Sequence, residues 1–256
     1  MQKSLGIIDS GIGGLSILKE LISKISSYQI YYISDEDNVP YGNKSQNFMF
    51  DRTVAMVNQL KQVHVTKIIL ACNTLTAKTI DRLREKFDEI EFFGIEPYIN
   101  YLNKDLSAHG KNTGLILTQA TFDSLRFKNL QQRVDPENLI KVYPLKHLAM
   151  IIESLKTKNF EFVLPEINLE LAPLKSKKLD ILILGCTHYP IISSHIAKQL
   201  KVQCVNSHGR FVEHIVNKLN AFCDKHGPYS FFYDSNLSGN WLKVDIKDFQ
   251  FLFLDT

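Results

Sequence analysis

The sequence predicts an α/β fold with mostly parallel sheets, laid out as two similar halves. Three observations carry that prediction. Short apolar runs alternate with longer stretches of helical periodicity. Each half begins with a strand that ends in polar residues. Each half then reaches a strand ending in a cysteine, at nearly the same interval.

The apolar runs cover residues 5–8, 30–33, 67–71, 92–95, 114–117, 180–184 and 201–205. Their length and content are those of buried strands. Between them, Leu15, Leu18, Leu21, Ile22 and Ile25 repeat on one helix face, as do Ile80, Leu83 and Phe87. In the first half "LGIIDS" ends on Asp9 and Ser10, and "IILACNT" brings Cys72, 63 positions after Asp9. In the second, "TGLILTQAT" carries Thr118 and Thr121, and "ILILGCTH" brings Cys186, 68 positions after Thr118. Apolar strands resemble one another for trivial reasons. Matched Cys-x-Thr and Cys-Thr tips are more specific, and they assign one thiol to each half. Ligands of open α/β sheets bind beyond the carboxyl ends of strands, where all these tips lie.

Composition narrows the partners. At 256 residues the chain is long enough for one large domain or two smaller ones, and its 45% hydrophobic content supports a real core. A net charge of +3, from 30 basic and 27 acidic side chains without long blocks of one sign, argues against nucleic acid. No apolar run approaches the roughly 20 residues that span a bilayer. "MQKSLGIIDSGIGG" does not have the form of a signal peptide, so a cytoplasmic location is expected, with no membrane partner. There Cys72, Cys186, Cys204 and Cys223 are expected to be reduced. No C-x-x-C pair occurs, so no metal site is expected. A small buried hydrophobe is the default role of each cysteine, and packing is assigned to Cys204 and Cys223.

Cys72 and Cys186 ask for more. A cysteine at a strand-to-helix junction meets free N–H groups and a helix dipole, which lower a thiol pKa from about 8.5. Helix-compatible sequence follows both: "LTAKTIDRLREKF", with Asn73 or Thr74 as cap, and "IISSHIAKQL". Two thiols facing each other across a cleft suit one task. One removes a proton from carbon, the other delivers a proton to the opposite face, and a stereocentre inverts without a cofactor. Asp9, which ends the first strand of the Cys72 half, and His188, two residues after the second thiol, would assist. The loop "DSGIGG" has a competing reading as a phosphate cradle. Its G-x-G-G spacing and the lack of a following Gly-Lys-Ser/Thr favour a carboxylate ligand held by Ser10 and backbone N–H groups. "VPYGNK" reads as a tight turn from which Tyr41 could cover a ligand.

The segments "GIIDSGIGGLSILKEL", "YYISDEDNVPYGNK", "IILACNTLTA", "TQAT" and "DILILGCTHYP" together resemble the cofactor-independent glutamate racemases of the aspartate/glutamate racemase superfamily. In aspartate racemases of that superfamily a Glu usually follows the second Cys-Thr, so His188 favours glutamate as substrate. The resemblance implies two pseudo-symmetric flavodoxin-like domains with the active site in the cleft between them. Residues 1–97 with 207–256 would form one domain and residues 98–206 the other. It implies Cys72 as the acid/base residue for the D enantiomer and Cys186 for the L. Asp9 and His188 would assist, with Glu153 as a further carboxylate. Ser10, Pro40, Tyr41, Gly42, Asn73, Thr74, Thr118, Thr121 and Thr187 fall where the family holds substrate. The implied role is supply of D-glutamate for bacterial peptidoglycan. The family forms dimers of differing geometry, so a homodimer is one expected assembly. The chain departs from the pattern at Leu75, where a small residue is common, and at Asn206, Ser207 and His208, where Asp-Ser-Gly is usual. Leu75 keeps open a racemase for aspartate or another amino acid. A binding protein on the same fold is the third reading, but binding alone needs no paired thiols.

Overall fold

The computed structural model describes residues 3–105, 108–219 and 229–254; Cys223 lies outside them. The first half runs β1 (Lys3–Asp9), α1 (Leu15–Leu21), β2 (Tyr28–Ser34), α2 (Gln46–Gln62), β3 (Lys67–Leu70), α3 (Asn73–Lys86) and β4 (Glu91–Gly94). The second runs β5 (Thr113–Thr118), α4 (Gln119–Phe122), α5 (Leu125–Val134), β6 (Lys141–Leu145), α6 (Leu148–Glu153), α7 (Phe160–Leu171), β7 (Ile181–Leu184), α8 (Ser193–Leu200) and β8 (Gln203–Val205). After α9 (His208–Leu219) come β9 (Ser230–Asp234) and β10 (Leu242–Val244).

These strands form two sheets, ordered β10-β9-β2-β1-β3-β4 and β6-β5-β7-β8. Within the first, β2-β1-β3-β4 repeats the order of the second, so β1 corresponds to β5 and β3 to β7. The interval seen in the sequence is therefore a topological one. Asp9 and Thr118 end equivalent strands, and Cys72 and Cys186 follow equivalent strands. Only β9 with β10 is antiparallel among the described pairings. β1 and β5 are apolar because helices cover both faces of a parallel sheet, and Leu5, Ile7, Leu115 and Ile116 are fully buried.

Three strands lie outside the seven apolar runs. β6 contains Pro144, which an edge strand tolerates because its free side needs no ladder donor. β9 is aromatic rather than aliphatic, and it pairs with β2 from Gln29–Ser230 to Ile33–Asp234. It returns the C-terminal segment to the first sheet. β10 has only three residues. Helix α1 stops earlier than its periodicity predicts, leaving Ile25 to pack into the core from the following loop. Ser45 and Ser124 cap α2 and α5 by accepting N–H bonds from Phe48 and Phe127.

One apolar cluster runs through both halves, taking in Leu5 of β1, Leu18 of α1, Ile116 of β5, Leu182 of β7 and Ile215 of α9. Two more lie against single sheets, around Met56 and Leu83 and around Phe127 and Ile183. Polar contacts also join the halves: Arg126 of α5 pairs with Asp81 of α3 and with Glu96. Among the described residues no helix is long and apolar enough to cross a membrane.

Candidate active site

A strand order of 2-1-3 makes the crevice beyond β1 and β3 a topological switch point, and the order 6-5-7 makes a second one beyond β5 and β7. Cys72 and Asp9 stand at the first, Cys186 and Thr118 at the second. Both cysteines and Thr118 line one cavity of about 310 Å³. That volume falls at the lower end of the roughly 300–1,000 Å³ of small-molecule sites.

Cys72 is 6% exposed, and Ser10 Oγ lies 3.5 Å from its sulfur. It occupies the N-cap position of α3 itself, with no side-chain cap bond, so neither Asn73 nor Thr74 caps that helix. The thiol does not carry the lowered pKa expected of a helix start. Burial pushes it up to about 12, aided by the carboxylate of Asp9, and this outweighs the Ser10 hydroxyl and the Leu75 N–H. A helix start helps an anion only to the extent that desolvation is smaller. Asp9 is fully buried, and burial raises its pKa too, against the opposing charge of His188 and the N–H of Gly14. Its Oδ2 accepts from Gly14 N at 2.7 Å and from the Tyr32 hydroxyl at 3.1 Å.

Cys186 stands in different company. His188 Nδ1 is 3.7 Å from its sulfur, and Nε2 is 2.7 Å from Glu153 Oε2. Burial alone would lower the imidazole pKa. The contacts with Cys186 and Glu153 override it and hold His188 well above its usual range. Glu153 responds in the opposite sense: burial would raise it, but His188 and the Ile12 N–H hold it below the usual value. The two shifts run in opposite directions, and together they favour a charged pair with the proton on the imidazole. Cys186 has no α-helix directly behind it, because Tyr189–Ile192 is a 3-10 turn and α8 begins only at Ser193. Pro190, near the start of that turn, supplies no N–H to a wider helix.

Two glycines of "DSGIGG", Gly11 and Gly13, meet the second half directly, while Gly14 packs against Ala71 and Tyr32 of its own half. Ile12 N–H donates to Glu153 Oε2 at 3.0 Å. A Cβ on Gly11 would lie 2.2 Å from Glu153 Oε2, and one on Gly13 would lie 2.5 Å from His188 Nδ1. At Gly11 and Gly13 the side chains of Glu153 and His188 occupy the space a side chain would need.

Of the residues expected from the sequence, Ser10, Pro40, Tyr41, Gly42, Cys72, Thr74, Thr118, Cys186 and His188 line the cavity. Asp9, Asn73, Thr121, Glu153 and Thr187 are buried and are not part of its lining. Thr74, Thr118 and Thr121 join hydroxyls at 2.9–3.3 Å, tying α3 to the start of α4. Asn73 Nδ2 and Thr187 Oγ1 are buried without a protein partner. Tyr41 spends its hydroxyl on Asp35 at 2.5 Å, and Arg52 holds the same carboxylate. Leu75 packs with Cys72 in the core and does not line the cavity. Lys146 and Met150 line it without a local sequence motif to mark them, and Gln119 does so from within "TQAT". Tyr32, which holds Asp9 and donates to the Gly11 carbonyl at 2.8 Å, was legible only as an inward strand residue. Among the described residues no group of three or more His, Cys, Asp or Glu is arranged to hold a metal ion.

Comparison with known proteins finds racemases similar to this chain in sequence and in fold. The family model described as Asp/Glu/Hydantoin racemase matches residues 8–215. A glutamate racemase of Campylobacter curvus is 32% identical over 232 residues, 87% of this chain and 85% of its own length. The structure of a Bacillus anthracis glutamate racemase superposes with a TM-score of 0.73 at 27% identity, covering 93% of this chain and 90% of that one. The Francisella tularensis glutamate racemase, solved in complex with D-glutamate, gives 0.71 at 27% identity over 99% of this chain and 94% of that one.

Proposed function

The chain belongs to the Asp/Glu/Hydantoin racemase family, and from that premise we propose that it interconverts L- and D-glutamate by proton transfer between two thiols, supplying D-glutamate for peptidoglycan. The observation that carries this reading is the placement of Cys72 and Cys186. They follow equivalent strands of two sheets and line one cavity.

The surroundings of the two thiols support a division of labour. With Asp9 beside it and little solvent, Cys72 rests as the protonated thiol, the form that delivers a proton. Cys186, beside the imidazolium of His188, acts as base toward the L enantiomer. After one turnover the roles are reversed, and the enzyme is set for D-glutamate. Cys72 then becomes the base, helped by Ser10 and the Leu75 N–H, and its high pKa makes its thiolate a strong acceptor for a carbon-bound proton. Ser10, Thr74 and Thr118, which line the cavity, hold the substrate's carboxylate in this reading. Asn73 and Thr187 stand outside the lining with buried polar atoms unpaired, which costs about 1–3 kcal/mol each. The aspartate alternative loses its main support, because Leu75 stands outside the cavity. We propose the two-lobe division, residues 1–97 with 207–256 against 98–206, supported by the membership of β9 in the first sheet and of β5 to β8 in the second.

Circular dichroism of purified protein with each enantiomer of glutamate, then of aspartate, tests the proposal. Glutamate signals should decay to zero from both sides after dialysis against chelator and without added pyridoxal phosphate, while aspartate stays nearly unchanged. A preference for aspartate, or activity only with an added cofactor, would refute it.

A further inference from the structure

We infer that the ion pair of Glu36 with Lys156 is a clasp between the two halves that positions Glu153, and through it His188, against Cys186. The inference rests on the racemase reading for its kinetic consequence, but its mechanical part stands on contacts alone.

Glu153 ends α6, and a 3-10 turn, Ser154–Lys156, continues directly from it. Lys156 lies three positions after Glu153, so both side chains leave the same side of one helical segment. Each reaches the first sheet's half. Glu153 accepts the Ile12 N–H, and Lys156 pairs with Glu36, on the 3-10 turn Glu36–Asn38 that follows β2. The segment is thus pinned at two points one turn apart.

The far end of the clasp is anchored as well. Glu36 Oε1 accepts from the hydroxyls of Tyr233 and Ser34, which also meet each other at 3.2 Å. Tyr233 stacks on Tyr32 with centroids 5.6 Å apart, and Tyr32 donates to Asp9. A continuous run of contacts therefore leads from the carboxylate beside Cys72 to the carboxylate behind Cys186. The Glu36 side chain is 15% exposed and that of Lys156 is 29%, so the pair is less screened than an open surface bridge. Lys156 also adds to the positive field that keeps Glu153 ionised.

Glu153 has only one anchored oxygen: Oε2 takes both the Ile12 N–H and His188, while Oε1 is buried without a partner. A carboxylate held by one atom can rotate or withdraw. The clasp limits that motion from the backbone side. Displacement of a proton-transfer partner by about 1 Å can cost roughly 10²-fold in rate.

The test compares Lys156→Met, Lys156→Arg and Glu36→Gln with the parent protein, using two readouts. Amide hydrogen exchange reports the mechanical part without requiring turnover. In Lys156→Met, the Ile12 amide should exchange about tenfold faster, while the Gly14 amide, held by Asp9, keeps its rate. Primary isotope effects with α-deuterated substrates report the kinetic part. If the Cys186 step is slowed, the isotope effect on kcat/KM should rise for L-glutamate and fall for D-glutamate. A loss of folded protein alone leaves the isotope effects unchanged and speeds the Ile12 and Gly14 amides together. Glu36→Gln should behave like Lys156→Met, the double variant should be no worse than either, and Lys156→Arg should restore both readouts. An unchanged Ile12 amide, or an unchanged ratio of isotope effects in folded Lys156→Met, would overturn the inference. Absence of turnover in the parent protein would refute the racemase reading instead, leaving Ile12 exchange to decide the clasp.

Discussion

Cys72 and Cys186 are the same side chain in opposite surroundings: an aspartate stands beside the first and a histidine beside the second. Replacing either with Ala should abolish racemisation from both enantiomers. Enantiomers have equal free energy, so kcat/KM must be equal in the two directions and cannot fall in one alone. Polarimetry from pure D- and pure L-glutamate checks this, and retained activity in either variant would remove that thiol from the chemistry. His188→Asn should keep the fold and slow turnover by about 10²–10⁴-fold, the scale of a lost acid-base partner. Wild-type rates in that variant would leave His188 a packing residue. The sequence reveals these residues because each sits at a strand tip, where the apolar pattern stops abruptly at a polar side chain. It does not reveal their charge states. Cys72 is desolvated by residues from distant segments, and no local rule about helix starts anticipates that.

The loop from Asp9 to Gly14 shows the same limit at the scale of an element. Its glycines are plain in the sequence, but the reason for Gly11 and Gly13 lies in Glu153 and His188, well over a hundred positions away. Gly13→Ala should therefore cost about 1–3 kcal/mol by crowding, and activity should fall by roughly 10²-fold as His188 is displaced. Gly42 is the control, since a Cβ there would meet nothing within 4 Å. Gly42→Ala should leave stability within about 0.5 kcal/mol of the parent protein. Urea midpoints read the difference, and equal midpoints for the two variants would show that the loop is not packed against the second half. Strands of aliphatic residues were legible, whereas β6, with its proline, and β9, with its aromatics, were not. Edge and aromatic strands lack the apolar run that marks a central one.

At the scale of the whole molecule, two sheets share one core, and buried charge decides how that core responds to acid. His208, at the start of α9, is 2% exposed, and burial lowers its pKa from 6.5 to about 4. Glu20 is 3.8 Å from its Nδ1, too far for a hydrogen bond, so the nitrogen has no partner. Because the folded-state value is the lower one, His208 contributes full stability above about pH 6.5. That contribution is lost as pH falls toward 4, by roughly 3 kcal/mol at its limit. His208→Asn should flatten this part of the acid limb in urea titrations at pH 7 and pH 4.5; an equal acid loss in both proteins would contradict it. The repeated strand order was legible from the matched intervals, but the shared core was not, since it depends on how the halves pack. That packing brings both thiols to one cavity, and the source of the new hydrogen tests their roles most directly. In heavy water, product formed early from either enantiomer should carry deuterium at the α-carbon, because the delivering thiol has exchanged with solvent. Remaining substrate should stay largely unlabelled. Early exchange into substrate without inversion, or product retaining the substrate's own hydrogen, would contradict two thiols working on opposite faces.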